Sequence, residues 1–240
     1  MTTQQTLAHS IMQQIGIQII LGHYEDDMLP GENELAQQFS ASRTSIRNAL
    51  QLLSGKGLIS IQPKKRSVVN PRGDWNFLDS DLLKWIGNTG VSPELFEQLI
   101  ILRLMFEPNA SALAANYATG ADLAALEKAW LLMEKGNKED SLSLFEQGDI
   151  DFHSALLKAC HNPFLLSIGH AIQEALILSF KNTQEKRAKD TTQSVKMHKL
   201  LFEAIRLRES NNAKKIMKEI ILTAATRHIP YLDRIKNFDF

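Results

Sequence analysis

The side chains best able to do chemistry in this 240-residue chain are polar groups on otherwise apolar helical stripes. Arg103 follows Leu99 by four positions and precedes Phe106 by three, so helical periodicity turns it inward with them. Asp149 and His153 are one turn apart and share a face with Phe145, Leu156 and Leu157. His198 falls between Val195 and Leu201-Phe202, and Thr223 and Arg227 form another one-turn pair after Ile216 and Ile220. Inward charges are costly unless something pairs with them. Two arginines, two histidines and an aspartate directed into one domain therefore imply a polar cavity. A buried carboxylate or a hydroxylated anion would satisfy the arginines, and a divalent metal such as zinc would satisfy Asp149, His153 and His198. Each residue also has a plainer reading: a hydrogen-bonded core histidine, or an i,i+4 helix pair for Asp149 with His153.

A second group reads as contacts to nucleic acid. Ser42, Arg43, Thr44, Ser45 and Arg47 stand at the start of a helix whose other face carries Ile46, Ala49, Leu50 and Leu53. Arginine bridges the two acceptors of a guanine edge, and hydroxyls reach phosphates. Lys64, Lys65 and Arg66 follow in a polar turn. Between Leu35 and Gly73 there is no acid, while Arg43, Arg47, Lys56, Lys64, Lys65, Arg66 and Arg72 give +7. The chain sums to zero, so the remainder carries −7, with Glu25, Asp26, Asp27, Glu32 and Glu34 clustered just upstream. Such segregation suits a protein that meets phosphate backbones through one region.

These residues need elements to hold them. Leu7, Ile11, Met12, Ile15, Ile19 and Ile20 recur at helical spacing, and Gly22 offers a stop. A short helix follows from Glu32 to Phe39, then one from Arg43 to Lys56 with Ser42 as its N-cap. Leu58 to Ile61 alternates like a strand, and Ser67-Val68-Val69 can return as a second. Two helices across a tight turn followed by a hairpin make a winged helix-turn-helix, here residues 1–72. Residues 73–91 include Trp75, Phe77, Leu82, Leu83 and Trp85, too apolar for a free tether. They are expected to form an interdomain linker packed between domains, with Asp79 capping a short helix. From 92 to 240 the periodicity is helical, with stretches near 93–118, 120–136, 140–160, 163–184, 189–208 and 211–229. The expected fold class is mainly α: a winged head plus a C-terminal all-α bundle of about six helices.

The stretch "LPGENELAQQFSASRTSIRNALQLLSGKGLISIQ" resembles the DNA-binding signature of GntR-type bacterial transcription regulators. It departs at Asn48, where the family usually has Glu, and at Ser67, where the wing commonly has Gly. "RLMFEP" at 103–108, "DIDFH" at 149–153, "HNP" at 161–163 and "MHKLLFEAI" at 197–205 resemble the effector domain of the FadR-like (FCD) branch. "WNFLDSDLLKW" resembles the linker of its sugar-acid regulators. The resemblance implies a homodimer bound to double-stranded operator DNA, and a small carboxylate effector such as an aldonate. It implies Asp149, His153 and His198 as metal ligands, with Thr223 at the position of a further family histidine. Three ligands hold zinc when water or effector completes the sphere. It also implies Arg103 and Arg227 as the anion clamp.

Other classes fit less well. A metal-dependent enzyme acting on a small acid lacks a general base beside the ligands and any nucleophile motif. An acyl-CoA effector suits neither the inward arginines nor the histidines. One cysteine, Cys160, excludes an intramolecular disulfide and fits a reducing compartment. No apolar run suits a membrane span, and the N-terminus lacks the features of a signal peptide, so the expected location is the cytoplasm.

Overall fold

A computed structural model describes residues 3–62, 65–169 and 191–225. They divide into two compact units, 1–90 and 91–240.

The first unit is built on α1 (Thr3–Ile20), α2 (Glu32–Gln38) and α3 (Arg43–Gly55). The stripe Ala8, Ile11, Met12, Ile15 and Ile19 is buried, as are Leu35, Ile46, Ala49, Leu50 and Leu53 on the facing helices. Ser42 caps α3, its hydroxyl accepting from the Ser45 amide at 3.1 Å. The wing is short: β1 (Ile59–Ser60) pairs antiparallel with β2 (Val68–Val69), Ile59 opposite Val69. Its base is tied back to the loop before α2 by a Met28–Val68 bridge and a Leu29 amide to Ser67 carbonyl bond of 2.9 Å.

Residues 73–90 of the aromatic stretch fall in this first unit. Its helix α4 (Ser80–Thr89) is capped by Asp79, whose carboxylate accepts from the Asp81 and Leu82 amides. Trp85 lies flat against α1 at Gly16, where a Cβ would meet the ring at 2.3 Å. The Lys56 ammonium, at the end of α3, reaches Asp79 at 2.9 Å and Asp81 at 2.7 Å. Trp75 is buried, its indole N–H donating to the Asn70 carbonyl at 2.9 Å. Apolar surface and a part-buried ion pair both draw this segment onto the winged head.

The second unit contains α5 (Pro93–Tyr117), α6 (Gly120–Lys138), α7 (Leu142–Ala159), α8 (helical over 163–169), α9 (Thr192–Arg206) and α10 (Ser210–Ala225). The remainder of the expected 163–184 helix lies outside the described residues, and no strand occurs among those described here. Ser92 and Thr119 cap α5 and α6. Phe152, Leu126, Met133, Leu156, Leu201, Ile205, Met217 and Ile221 form a dry core. Close approach of α6 and α7 requires Gly148, where a Cβ would meet the Met133 amide nitrogen at 2.6 Å.

Candidate functional site

Three helices of the second unit bring their polar inward residues together. α5 supplies Arg103 and Glu107, α7 supplies Asp149 and His153, and α9 supplies His198. All five are buried, none more than 5% exposed. The Arg103 Nε–H donates to Glu107 Oε1 at 2.6 Å, and the other carboxylate oxygen of Glu107 faces His153 Nδ1. His153 Nε2 is 3.4 Å from His198 Nε2. Asp149 Oδ1 lies 3.3 Å from His198 Nε2, and its Oδ2 3.8 Å from His153 Nε2. Phe152 closes one side, its ring edge-on to His198 at 5.0 Å between centroids.

The electrostatics follow from these contacts. Burial works against a charged Glu107, but the Arg103 guanidinium and then His153 outweigh it and hold the carboxyl down at about 2. Burial likewise lowers the pKa of His198, with Asp149 acting in the opposite direction. His198 Nδ1 sits 2.8 Å from the Ser194 carbonyl, which can only accept, so this nitrogen carries the hydrogen. The Glu107 carboxylate imposes the same tautomer on His153. Both Nε2 atoms are turned toward each other and toward the Asp149 carboxylate. Three potential ligand atoms converge there.

The donor set fits a divalent metal. One ligand atom each from Asp149, His153 and His198 can be chosen so that all lie within 4.8 Å of one another. Ligand bonds of about 2.0–2.1 Å in a tetrahedral site separate the donors by about 3.4 Å. Two of the three contacts, at 3.3 and 3.4 Å, already have that spacing. The Nδ1 acceptors, Glu107 and the Ser194 carbonyl, are the orienting partners that metal-bound histidines normally have.

Arg103 faces inward as expected, and its Nε–H donates to an internal buried carboxylate, Glu107. Thr223, expected to face inward, is exposed on α10. Arg227 lies outside the described residues. Glu107 had received no role, although its four-residue spacing from Arg103 was a readable signal.

On the winged head, Ser42, Arg43, Thr44 and Arg47 are exposed at the start of α3. Ser45 is not: it is 3% exposed, and its hydroxyl bonds to that of Ser42 at 3.0 Å. Three residues after the cap, it turns toward the core, so it stabilises the helix start and presents nothing outward. Lys65 and Arg66 are exposed beside the wing, and Lys64 lies outside the described residues. Arg47 Nε donates to Glu32 at 2.8 Å, and Arg66 reaches Glu34 at 3.2 Å.

A winged helix-turn-helix with an exposed basic helix start, in one chain with an all-α domain enclosing a polar cluster, defines a ligand-responsive DNA-binding regulator. Residues 7–69 match the bacterial regulatory proteins of the gntR family, and residues 98–223 match the FCD domain. The chain belongs to the GntR family of bacterial transcription regulators, in its FCD branch. It is 33% identical to the galactonate operon transcriptional repressor of Escherichia coli (strain K12), covering 89% of this chain and 93% of that protein. It is 29% identical to the HTH-type transcriptional repressor NanR of Salmonella newport, covering 81% and 74%. The fold is also that of Lar, which controls expression of the Listeria monocytogenes agr system (TM-score 0.63, 18% identity, 95% and 97% covered). These families and relatives are transcription regulators and not enzymes. No described helix is long and apolar enough to cross a membrane.

Proposed function

We propose that the protein is a dimeric repressor of a sugar-acid catabolic operon, released from its operator when the acid enters the helical domain. The observation that carries this reading is the buried Arg103–Glu107–His153–His198–Asp149 cluster inside a domain tied to a basic winged head. A transcription factor gains nothing from so costly an array unless it recognises a polar ligand. Asp149, His153 and His198 would hold a divalent metal, which when bound supplies a Lewis-acid contact for an effector carboxylate or hydroxyl. Arg103 contributes positive potential to the same cavity, and Arg227 and Thr223 remain candidate effector contacts. The aldonate class is supported by the relative that represses the galactonate operon.

On the DNA side, Arg43 and Arg47 would read base edges in the major groove. Ser42, Thr44, Lys65, Arg66 and Lys64 would contact the backbone. Two subunits would place their α3 helices in successive grooves, about 34–36 Å apart, on a pseudo-palindromic operator. Induction requires the acid to bind the DNA-incompetent arrangement more tightly than the competent one.

The test is a gel shift with the DNA upstream of the gene and of its neighbours, titrated with galactonate and related hydroxy-acids. Retarded DNA released by an aldonate is the expected result. A complex that no hydroxy-acid releases removes the effector assignment and leaves DNA binding standing.

A further inference from the structure

The two carboxylates in the first turn of α2 have an unexpected placement for a DNA-facing surface. Glu32 accepts from Arg47 Nε at 2.8 Å, and Glu34 accepts from Arg66 at 3.2 Å while also taking the Gly31 amide at 2.7 Å. One acid thus holds the recognition-helix arginine and the other the wing arginine. Both pairs are exposed, so they add little to stability. An anion beside a phosphate-binding surface also weakens binding by repulsion. That arrangement calls for a compensating role.

The geometry at Arg47 supplies one. A guanidinium has five N–H donors in a planar fork. The bond from Nε to Glu32 uses the inner donor and fixes the plane of the fork. The two terminal amino groups form the edge that can bridge O6 and N7 of a guanine. The arginine side chain is 63% exposed, and Nε is the donor its bond to Glu32 uses. An unrestrained arginine would sample many rotamers and reach phosphates as readily as bases. Held by Glu32, it is already oriented for a base edge.

Resting on the assignment of Arg47 to the operator, we infer that Glu32 is a positioning residue for sequence readout. It trades overall DNA affinity for discrimination between operator and other DNA.

The experiment uses the full-length protein and the duplex it recovers from a random-sequence pool, with a scrambled duplex of the same length as reference. Binding is measured for wild type, Glu32→Ala, Glu32→Gln, Arg47→Ala and the Glu32→Ala/Arg47→Ala double variant, with melting temperatures as a check on folding. Glu32→Ala should bind scrambled DNA as tightly as wild type or tighter, yet lose about tenfold in the ratio of specific to scrambled affinity. Glu32→Gln keeps an acceptor oxygen and should retain most of that ratio. In the Arg47→Ala background, Glu32→Ala should change the ratio no further. A parallel rise in both affinities with an unchanged ratio overturns the inference, because Glu32 then acts only as a repelling charge. If Arg47→Ala itself leaves the ratio unchanged, the operator assignment of Arg47 fails and this inference falls with it. A normal Arg47→Ala effect beside a silent Glu32→Ala removes the positioning role alone.

Discussion

His153 and His198, 45 residues apart in sequence, face each other through their Nε2 atoms at 3.4 Å, while their Nδ1 atoms are turned outward to Glu107 and to the Ser194 carbonyl. Two imidazoles so oriented, with Asp149 beside them, are the donor set of the proposed metal site. Purified protein is therefore expected to carry close to one divalent metal ion per chain. Elemental analysis after dialysis checks this, and His153→Ala or His198→Ala should abolish retention. At a free metal concentration of 100 times Kd, chelation should cost about 3 kcal/mol of stability, read as a lowered Tm.

Glu107 joins Arg103 to His153, so Glu107→Gln should disturb both. Removing one partner of a buried ion pair costs about 3–5 kcal/mol, because the guanidinium is left without its counter-charge. Denaturant unfolding of the metal-free protein measures that loss. The orienting acceptor on His153 is weakened as well, and metal affinity should fall by about 10–100-fold.

At the start of α3 the exposed and buried residues should separate cleanly. Arg43→Ala and Arg47→Ala should reduce operator binding by tenfold or more with little change in Tm. Lys65→Ala and Arg66→Ala should lower affinity for all sequences and reduce the salt slope by about 1 each if they meet phosphates. Ser42→Ala should weaken operator binding and also cost about 1 kcal/mol of stability through the lost cap.

Gly148→Ala tests the seam between α6 and α7. The added methyl would meet the Met133 amide nitrogen at 2.6 Å, a backbone atom that cannot swing aside. A loss of about 1–3 kcal/mol is expected from the forced separation of the helices, measured by urea unfolding.

Cys160 is expected to be inert in the folded protein. Burial pushes its thiol up to about 12, and its sulfur sits 3.0 Å from the Ala110 carbonyl. The sign is simple: a raised thiol pKa leaves about one molecule in ten thousand as thiolate at pH 8. A disulfide exchange reagent at that pH should label the chain only after unfolding, and rapid labelling of native protein would contradict the buried placement.

Much of this molecule is written locally. The stripes on α1 and α3, the caps at Ser42 and Asp79, and the basic window from Arg43 to Arg72 follow from residue type and spacing alone. So does the inward turn of Arg103, Asp149, His153 and His198, because a period of 3.6 assigns each residue to a face without knowledge of its neighbours. The GntR-like head and FCD-like body were legible through the resemblance of their motifs.

What a face cannot specify is what it meets. Arg103 and Glu107 are a local i,i+4 pair, but only the packing of α5 against α7 brought His153 to the other oxygen of Glu107. Only the tertiary structure showed Trp85 docked onto Gly16 and the 73–90 stretch grouped with the winged head. Ser45 and Thr223 were misplaced because a residue near the edge of a stripe is buried or exposed according to how far the helix is rotated. Periodicity fixes side chains relative to their own helix axis. The rotation and spacing of the axes come from long-range packing, which no local pattern encodes.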